Sequence, residues 1–358
     1  MLVGLTLSAC SNTLHEKTPY WDRFRQNSIA WTREMPQRIV SPPVPAKDIL
    51  LVRLKESLIA LDHETGEVLW AAETKADGNI NLEPLVLDNK VFVSEEGGCL
   101  RSFDLQSGSY RWSACPGDAS DYTPTDVPVV SITHYLDKVY VTRFNWDRAS
   151  YEVSEGDKVW SFPIPDRRHV FVINCGNNLC MDGVDSVIQL DPQSGFEVNE
   201  KALTPEIGPI TSNGDYIGAV VGGETSPIVA LEPETLEVLW TNEVEKKNDR
   251  DFQHADIVND IIILTGQIME AIDLRDGQTL WKWPEISAVG RPVFKHGFMY
   301  VRVSSDRILK ININDGVIED WLLTGDDAWY ILEPPEAPGI DDQYLYFTTK
   351  RTVSAIEY

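Results

Sequence analysis

Ala60-Leu61-Asp62-His63-Glu64-Thr65-Gly66-Glu67-Val68-Leu69-Trp70 decides the fold, because its skeleton, Ala-x-Asp-x-x-x-Gly-x-x-x-Trp, returns along the chain. The second copy has Ser102, Asp104, Gly108 and Trp112, and the sixth has Ala271, Asp273, Gly277 and Trp281. The third has Ser150, Glu152, Gly156 and Trp160. The fifth has Ala230, Glu232 and Trp240, with Leu236 in the glycine place. The fourth retains Asp191 and Gly195 but has Asn199 where tryptophan belongs. The seventh retains Asn312 and Gly316, with Trp321 one position late. The eighth stops at Ala355-Ile356-Glu357-Tyr358. The first positions, 60, 102, 150, 189, 230, 271, 310 and 355, lie 39 to 48 residues apart. Four short strands with tight turns need about forty residues, which is one blade of a propeller. The expected fold is all-β: an eight-bladed β-propeller of four-stranded blades.

Each motif residue has a mechanical role. The acid begins the turn between third and fourth strands and accepts backbone N–H groups across it. Glycine supplies the positive φ of that turn. Trp70, Trp112, Trp160, Trp240 and Trp281 sit on outer strands, positioned to pack between blades, where alanine or serine leaves room for an indole. Proline opens many units (Pro43, Pro84, Pro128, Pro209, Pro292, Pro338), where no N–H donor is needed. Turn residues then precede β-branched or aromatic runs, as in Asp88-Asn89-Lys90 before Val91-Phe92-Val93.

The eighth unit ends before its own fourth strand. Asn27-Ser28-Ile29-Ala30-Trp31-Thr32 has the pattern of that strand, tryptophan included, so the N-terminus is expected to close the ring. Residues 27–358 then form one propeller. Upstream, Leu7-Ser8-Ala9-Cys10 ends an apolar run and Ser11-Asn12-Thr13 turns polar, the pattern of a bacterial lipoprotein signal with Cys10 as the lipidated residue. No basic residue precedes the apolar run, so the natural start is expected a few residues upstream. Residues 1–10 are read as signal and 11–26 as a tether bearing Tyr20, Trp21 and Phe24.

Four cysteines remain. Cys99 and Cys115 are symmetric about the same turn as Ser102 and Trp112, so they face each other across adjacent strands. Cys175 and Cys180 flank Gly176-Asn177-Asn178-Leu179, a hairpin turn. Disulfides 99–115 and 175–180 are therefore expected, in an oxidising compartment. No histidine sits at zinc-ligand spacing from them.

The chain has 358 residues, 42% of them hydrophobic, and a net charge of −25. Such acidity excludes nucleic acid as a partner, since phosphates require Lys and Arg. It also disfavours docking on anionic lipid. No apolar run reaches the 18 residues of a membrane-spanning helix.

The repeat resembles the tryptophan-docking repeat of pyrroloquinoline-quinone propellers. With Leu7-Ser8-Ala9-Cys10 and the ending Leu345-Tyr346-Phe347-Thr348-Thr349-Lys350-Arg351-Thr352-Val353-Ser354-Ala355-Ile356, residues 27–358 resemble BamB-type lipoproteins, accessories of the outer-membrane β-barrel assembly machine. The resemblance implies a monomeric, lipid-anchored scaffold in the cell envelope whose partners are other envelope proteins, barrel-assembly components among them. In that family a Leu-rich loop with an arginine binds the partner. The comparable stretch, Phe162-Pro163-Ile164-Pro165-Asp166-Arg167-Arg168, does not match it, so no partner-binding residue is transferred.

The chemistry of the chain points away from catalysis. His15, His63, His134, His169, His254 and His296 are scattered, and no Gly-x-Ser-x-Gly, phosphate loop or His-Glu-x-x-His occurs. Quinoprotein dehydrogenases share the repeat, but they are longer and commonly carry adjacent cysteines, which are absent here. No catalytic residue, cofactor or metal is assigned. Glu83, Asp126 and Asp256 lie near the starts of inner strands and are the candidates for a cation site at the channel mouth. Asp326-Asp327 and Asp341-Asp342 read as solvated loop acids. The longest inserts, 116–128 and 143–149, are the first candidates for a functional surface, with Tyr122, Trp146 and Trp329 as aromatic contacts. The expected function is a non-catalytic interaction scaffold. A small-ligand or glycan binder is the alternative, and a quinoprotein-type oxidoreductase ranks below both.

Overall fold

A computed structural model describes residues 29–75, 82–116, 127–144, 147–164, 171–203, 207–222, 226–244, 252–304, 307–323 and 337–357. Eight antiparallel sheets of four strands follow one another around a ring. Seven are simple meanders. Blade one runs Val44–Ala46, Ile49–Arg53, Ser57–Asp62, Val68–Glu73, from the axis outward, and blades two to seven repeat that order through Leu323. Blade eight contributes Gly339–Ile340, Tyr344–Thr348 and Thr352–Glu357, and takes its outer strand, Ile29–Glu34, from the start of the chain. Trp31 lies opposite Ala355, and the Thr32 and Ser354 hydroxyls are 2.8 Å apart. The closing strand thus runs on to Glu34. Asn27, Ser28, the tether and the signal segment with Cys10 lie outside the described residues.

The core is divided. Eight apolar clusters occupy the eight seams between neighbouring blades. This follows from the alternation of side chains on a strand: each sheet buries both faces, one against each neighbour. The small motif residues are fully buried in these sheets and lie directly opposite the tryptophans, as Ala60 does opposite Trp70 and Ser102 opposite Trp112. The small residue that receives the indole is a different one, the glycine of the next blade. A Cβ on Gly108 would come within 2.5 Å of Trp70 Cε3, and one on Gly66 within 2.5 Å of Trp31 Cε3. The motif glycine therefore answers two demands, a positive φ (+67° at Gly108) and the absence of a side chain. The indole N–H also donates across the seam, from Trp70 Nε1 to the Leu105 carbonyl at 2.9 Å and from Trp31 Nε1 to the His63 carbonyl at 3.0 Å. Trp112, Trp160, Trp240 and Trp281 repeat both contacts, on Gly156, Gly195, Gly277 and Gly316.

Two of the irregular copies of the repeat, the fourth and the fifth, meet at one seam. Asn199 has no indole to lay on blade five, and blade five has Leu236 where the glycine would be. Leu236 is 1% exposed and packs with Val187, Leu231 and the Cys175–Cys180 disulfide. It holds a φ of +57°, a conformation that costs a non-glycine residue about 1 kcal/mol or more. Asn199 Nδ2 donates to the Thr235 carbonyl at 2.9 Å. The carbonyl that an indole would take, that of Pro233, accepts instead from Gln189 Nε2. Gln189 occupies the alanine position of the motif. Three residues, Gln189, Asn199 and Leu236, thus replace the usual Ala, Trp and Gly.

Turn chemistry follows the repeat. Asp62 Oδ1 accepts from the Thr65 N–H at 2.9 Å and its hydroxyl at 2.8 Å, and Glu232 makes the same contacts to Thr235. Pro43, Pro84, Pro128, Pro292 and Pro338 stand just before inner strands, but Pro209 lies within Ile207–Ser212. The ladder shifts register there, between Ile207 and Ile210, so the missing N–H falls at a bulge.

Candidate functional site

In a four-stranded meander, the connection from outer to next inner strand leaves from the same end as the turn between second and third strands. One face of the ring therefore carries all the long connections, 74–84, 115–128, 164–171, 203–206, 245–251, 284–292 and 324–338. The other face carries tight turns. Tyr122, Trp146 and Trp329, expected as aromatic contacts, and Asp126, expected near the channel mouth, lie outside the described residues, as do Asp326-Asp327 and 165–168.

Buried arginines organise the described part of this face. Arg53, fully buried at the end of a second strand, donates Nη1 to the Leu82 carbonyl and to Ser94 Oγ, each at 3.1 Å. It ties the 74–84 connection to blade one. Arg143 is equally buried. Its Nε reaches the Gly98 carbonyl at 2.6 Å, and its other nitrogens reach Asp147 Oδ1 and the Tyr151 hydroxyl, both at 3.0 Å. The insert around 143–149 thus belongs, in its described part, to a framework rather than a contact surface. The Cys99–Cys115 disulfide clasps the base of the 115–128 connection. On blade three, Phe162 lies 5.2 Å from Phe196 of blade four, with Arg148 over its ring.

The axis carries the remaining chemistry. Arg291, just before an inner strand of blade seven, donates Nε to Asp256 Oδ1 of blade six at 3.0 Å, and its Nη2 reaches the same oxygen. Among the described residues none gives Asp256 Oδ2, which is buried, a hydrogen bond. Glu83 stands on the other side of the ring, next to the Leu82 carbonyl that Arg53 holds. Its side chain is accessible to solvent although protein crowds around it. Burial pushes its carboxyl above the ordinary range; Arg291 opposes that rise and Asp256 adds to it. His254 shares the strand of Asp256, and burial lowers its basicity, against the pull of Asp256. Nearer blade four, burial raises Asp182 to about 6, although it accepts the Phe171 N–H at 2.6 Å.

Of the acids expected at the channel mouth, Asp256 is occupied by Arg291. Among the described residues no three His, Cys, Asp or Glu side chains are placed to hold a metal ion. The remaining acids and histidines resolve into framework. Asp341 is not a solvated acid: it accepts from the Gln343 and Tyr344 N–H groups and the Tyr346 hydroxyl, and lies 3.1 Å from His63 Nδ1 across the closing seam. Asp342 is exposed and pairs with Lys295. Gln189, Arg53 and Arg143 carry no period and match no motif. Only the length of the inserts beside the two arginines signalled that something must hold them.

A family model described as outer membrane protein assembly factor BamB matches residues 23–171 and 183–318. Outer membrane protein assembly factor BamB of Escherichia coli K12 is 22% identical over 258 residues, which cover 66% of this chain and 64% of that protein, just under two thirds of its length. The crystal structure of BamB from Moraxella catarrhalis superposes with a TM-score of 0.70 at 13% identity, covering 93% of this chain and all (100%) of the other. A quinohemoprotein alcohol dehydrogenase from Pseudomonas putida HK5 superposes with a TM-score of 0.68 at 12% identity, covering 93% of this chain and 77% of that one. At such identities the superpositions establish a shared fold and nothing more.

Proposed function

The chain belongs to the outer membrane protein assembly factor BamB family, and on that premise we propose that it is a non-catalytic scaffold of the bacterial cell envelope, lipid-anchored through Cys10, that binds other envelope proteins during outer-membrane protein assembly. The observation that carries this reading is the family match, which runs through most of the propeller. The use of the repeat supports it. Every motif residue described is spent on turns and seams, so the residues common to this chain and to quinoprotein dehydrogenases are those that make the ring. What remains for recognition is the face of long connections, held by Arg53, Arg143 and the Cys99–Cys115 bond. A rigid scaffold presenting loops is a common platform for protein contacts. Among the described residues no helix is long and apolar enough to cross a membrane.

The test is crosslinking in the native host, followed by identification of the captured proteins. Recovery of barrel-assembly components is the expected result. Substrate-dependent reduction of a redox dye by the purified protein loaded with a quinone, with no envelope protein captured, would overturn the scaffold in favour of an oxidoreductase.

A further inference from the structure

The two disulfides differ in what surrounds them. Cys175 and Cys180 are both fully buried, among Val187, Ile217 and Leu236 in the seam between blades four and five. Cys99 is half-buried and Cys115 is exposed, just past the end of the outer strand Tyr110–Ala114, on the face of long connections.

The corner at Gly98-Cys99 holds both ends of the 115–128 connection. At its start, Cys115 is bonded to Cys99. At its end, the Val127 carbonyl lies so close to Gly98 that a Cβ there would come within 2.5 Å of it. The Gly98 carbonyl in turn accepts from the buried Arg143 Nε of blade three at 2.6 Å. The Val127 end is thus fixed by packing beside an internal guanidinium, and the Cys115 end carries a covalent bond that solvent reaches. The blade keeps its shape without that bond. Leu100 pairs with Ala114 and Ser102 with Trp112 in the ladder beside it. Trp112 lies on Gly156 of blade three and donates to the Val153 carbonyl at 3.2 Å. The outer strand therefore remains docked when the sulfurs part. An accessible bond whose loss leaves the ladder in place is open to exchange with thiols, whereas a buried one waits for its seam to open.

We propose that Cys99–Cys115 is a thiol-exchange site, a latch on the start of the 115–128 connection that a dithiol opens without unfolding the propeller, while Cys175–Cys180 stays closed. A thiolate of the dithiol attacks Cys115 Sγ and forms a mixed disulfide. The bond to Cys99 breaks, and Cys99 Sγ leaves with the electron pair. The second thiol of the dithiol then attacks the first, and Cys115 leaves as a thiolate in its turn. The dithiol is oxidised to a disulfide, the protein gains two electrons, and the dithiol's two protons reach the two cysteines through water. Arg143 continues to hold Gly98, so only the Cys115 end is released. The exchange is independent of which partner the face binds.

Timed reduction of the full-length protein with dithiothreitol, quenched with N-ethylmaleimide and mapped by mass spectrometry, tests it. Cys99 and Cys115 should be labelled together about a hundredfold faster than Cys175 and Cys180, because the buried pair waits for a local opening, and denaturation should abolish the difference. In the selectively reduced protein, hydrogen exchange should rise in peptides spanning 114–128 and stay unchanged in blades four to eight, with a melting transition that remains cooperative. The double variant Cys99→Ser, Cys115→Ser should show the same exchange pattern with no dithiol present. The proposal fails if the two bonds are reduced at similar rates or in the reverse order, or if hydrogen exchange in 114–128 is the same in both redox states. It fails equally if selective reduction abolishes the cooperative transition, since the bond would then be a structural staple.

Discussion

The seam between blades one and two and the seam between blades four and five perform one task with different residues. In the first, Trp70 lies on Gly108 and donates to the Leu105 carbonyl. In the second, the indole is gone. Leu236 fills the space from the opposite side, and the amides of Asn199 and Gln189 take over the donation to blade five. A seam needs volume and a donor, and it accepts the volume from either blade. The glycine is required only where an indole is present. The missing tryptophan in blade four and the missing glycine in blade five are therefore one structural arrangement seen at two places, and Gln189 is its third part.

The largest effect should come from removing a seam altogether. Deleting residues 27–33 takes away Trp31 and most of the strand that pairs with Thr352–Glu357. The protein should lose its cooperative thermal transition or melt far lower; an unchanged melting temperature would refute closure by this strand. Next comes overfilling. Gly108→Leu forces a side chain into the Trp70 indole at positive φ and should cost about 4 kcal/mol in denaturant unfolding. Trp70→Ala should cost about 3 kcal/mol by emptying the same seam. At the other seam, Leu236→Gly loses buried volume but relieves the backbone, for a net cost of about 2 kcal/mol. Asn199→Ala should cost only about 1 kcal/mol, the worth of one hydrogen bond. If the two seams responded alike to loss of their outer-strand residue, the contrast between indole and amide would be wrong.

The dependence on pH is a smaller effect. The Arg111 guanidinium holds Asp104 at about 2, and Arg275 does the same for Asp273. Their folded values lie below the unfolded ones, so their contribution is present above about pH 4 and lost as pH falls toward 2. Asp182 has the opposite sign. Its folded value, about 6, lies above the unfolded one, so stability declines as pH rises from about 4 to 6. Asp182→Asn should flatten that part of the stability profile, measured by chemical denaturation across pH, and a profile unchanged by the substitution would contradict the burial of this carboxyl.

The repeat was legible because its turn residues recur whatever the seam does. Asp62, Asp104, Asp191 and Glu232 all cap the same turn, and that regularity sets the blade count. The order of blades and the closing strand followed from arithmetic on those positions. What stood outside the period was hidden. Gln189 read as an unremarkable departure from alanine, since nothing in one chain says that its amide replaces an indole N–H of the adjacent strand. Asp341 read as a solvent acid because the partners that bury it, Tyr346 and His63, come from another strand and another blade. Glu83 and Asp256 were read as candidates for the channel mouth from their place before and within inner strands. Arg291, which decides what Asp256 can do, was not, for it stands in a connection with no repeat to mark it.

The central claim, that one seam exchanged all its parts together, is tested most directly by rebuilding it. Gln189→Ala, Asn199→Trp and Leu236→Gly would convert the seam between blades four and five to the common pattern. Unfolding free energies should show Asn199→Trp alone to be destabilising, because Leu236 occupies the indole site, while the triple variant recovers most of the loss, with a coupling of about 2 kcal/mol or more between positions 199 and 236. Additive effects, with the triple variant as unstable as the sum of the single ones, would contradict the exchange.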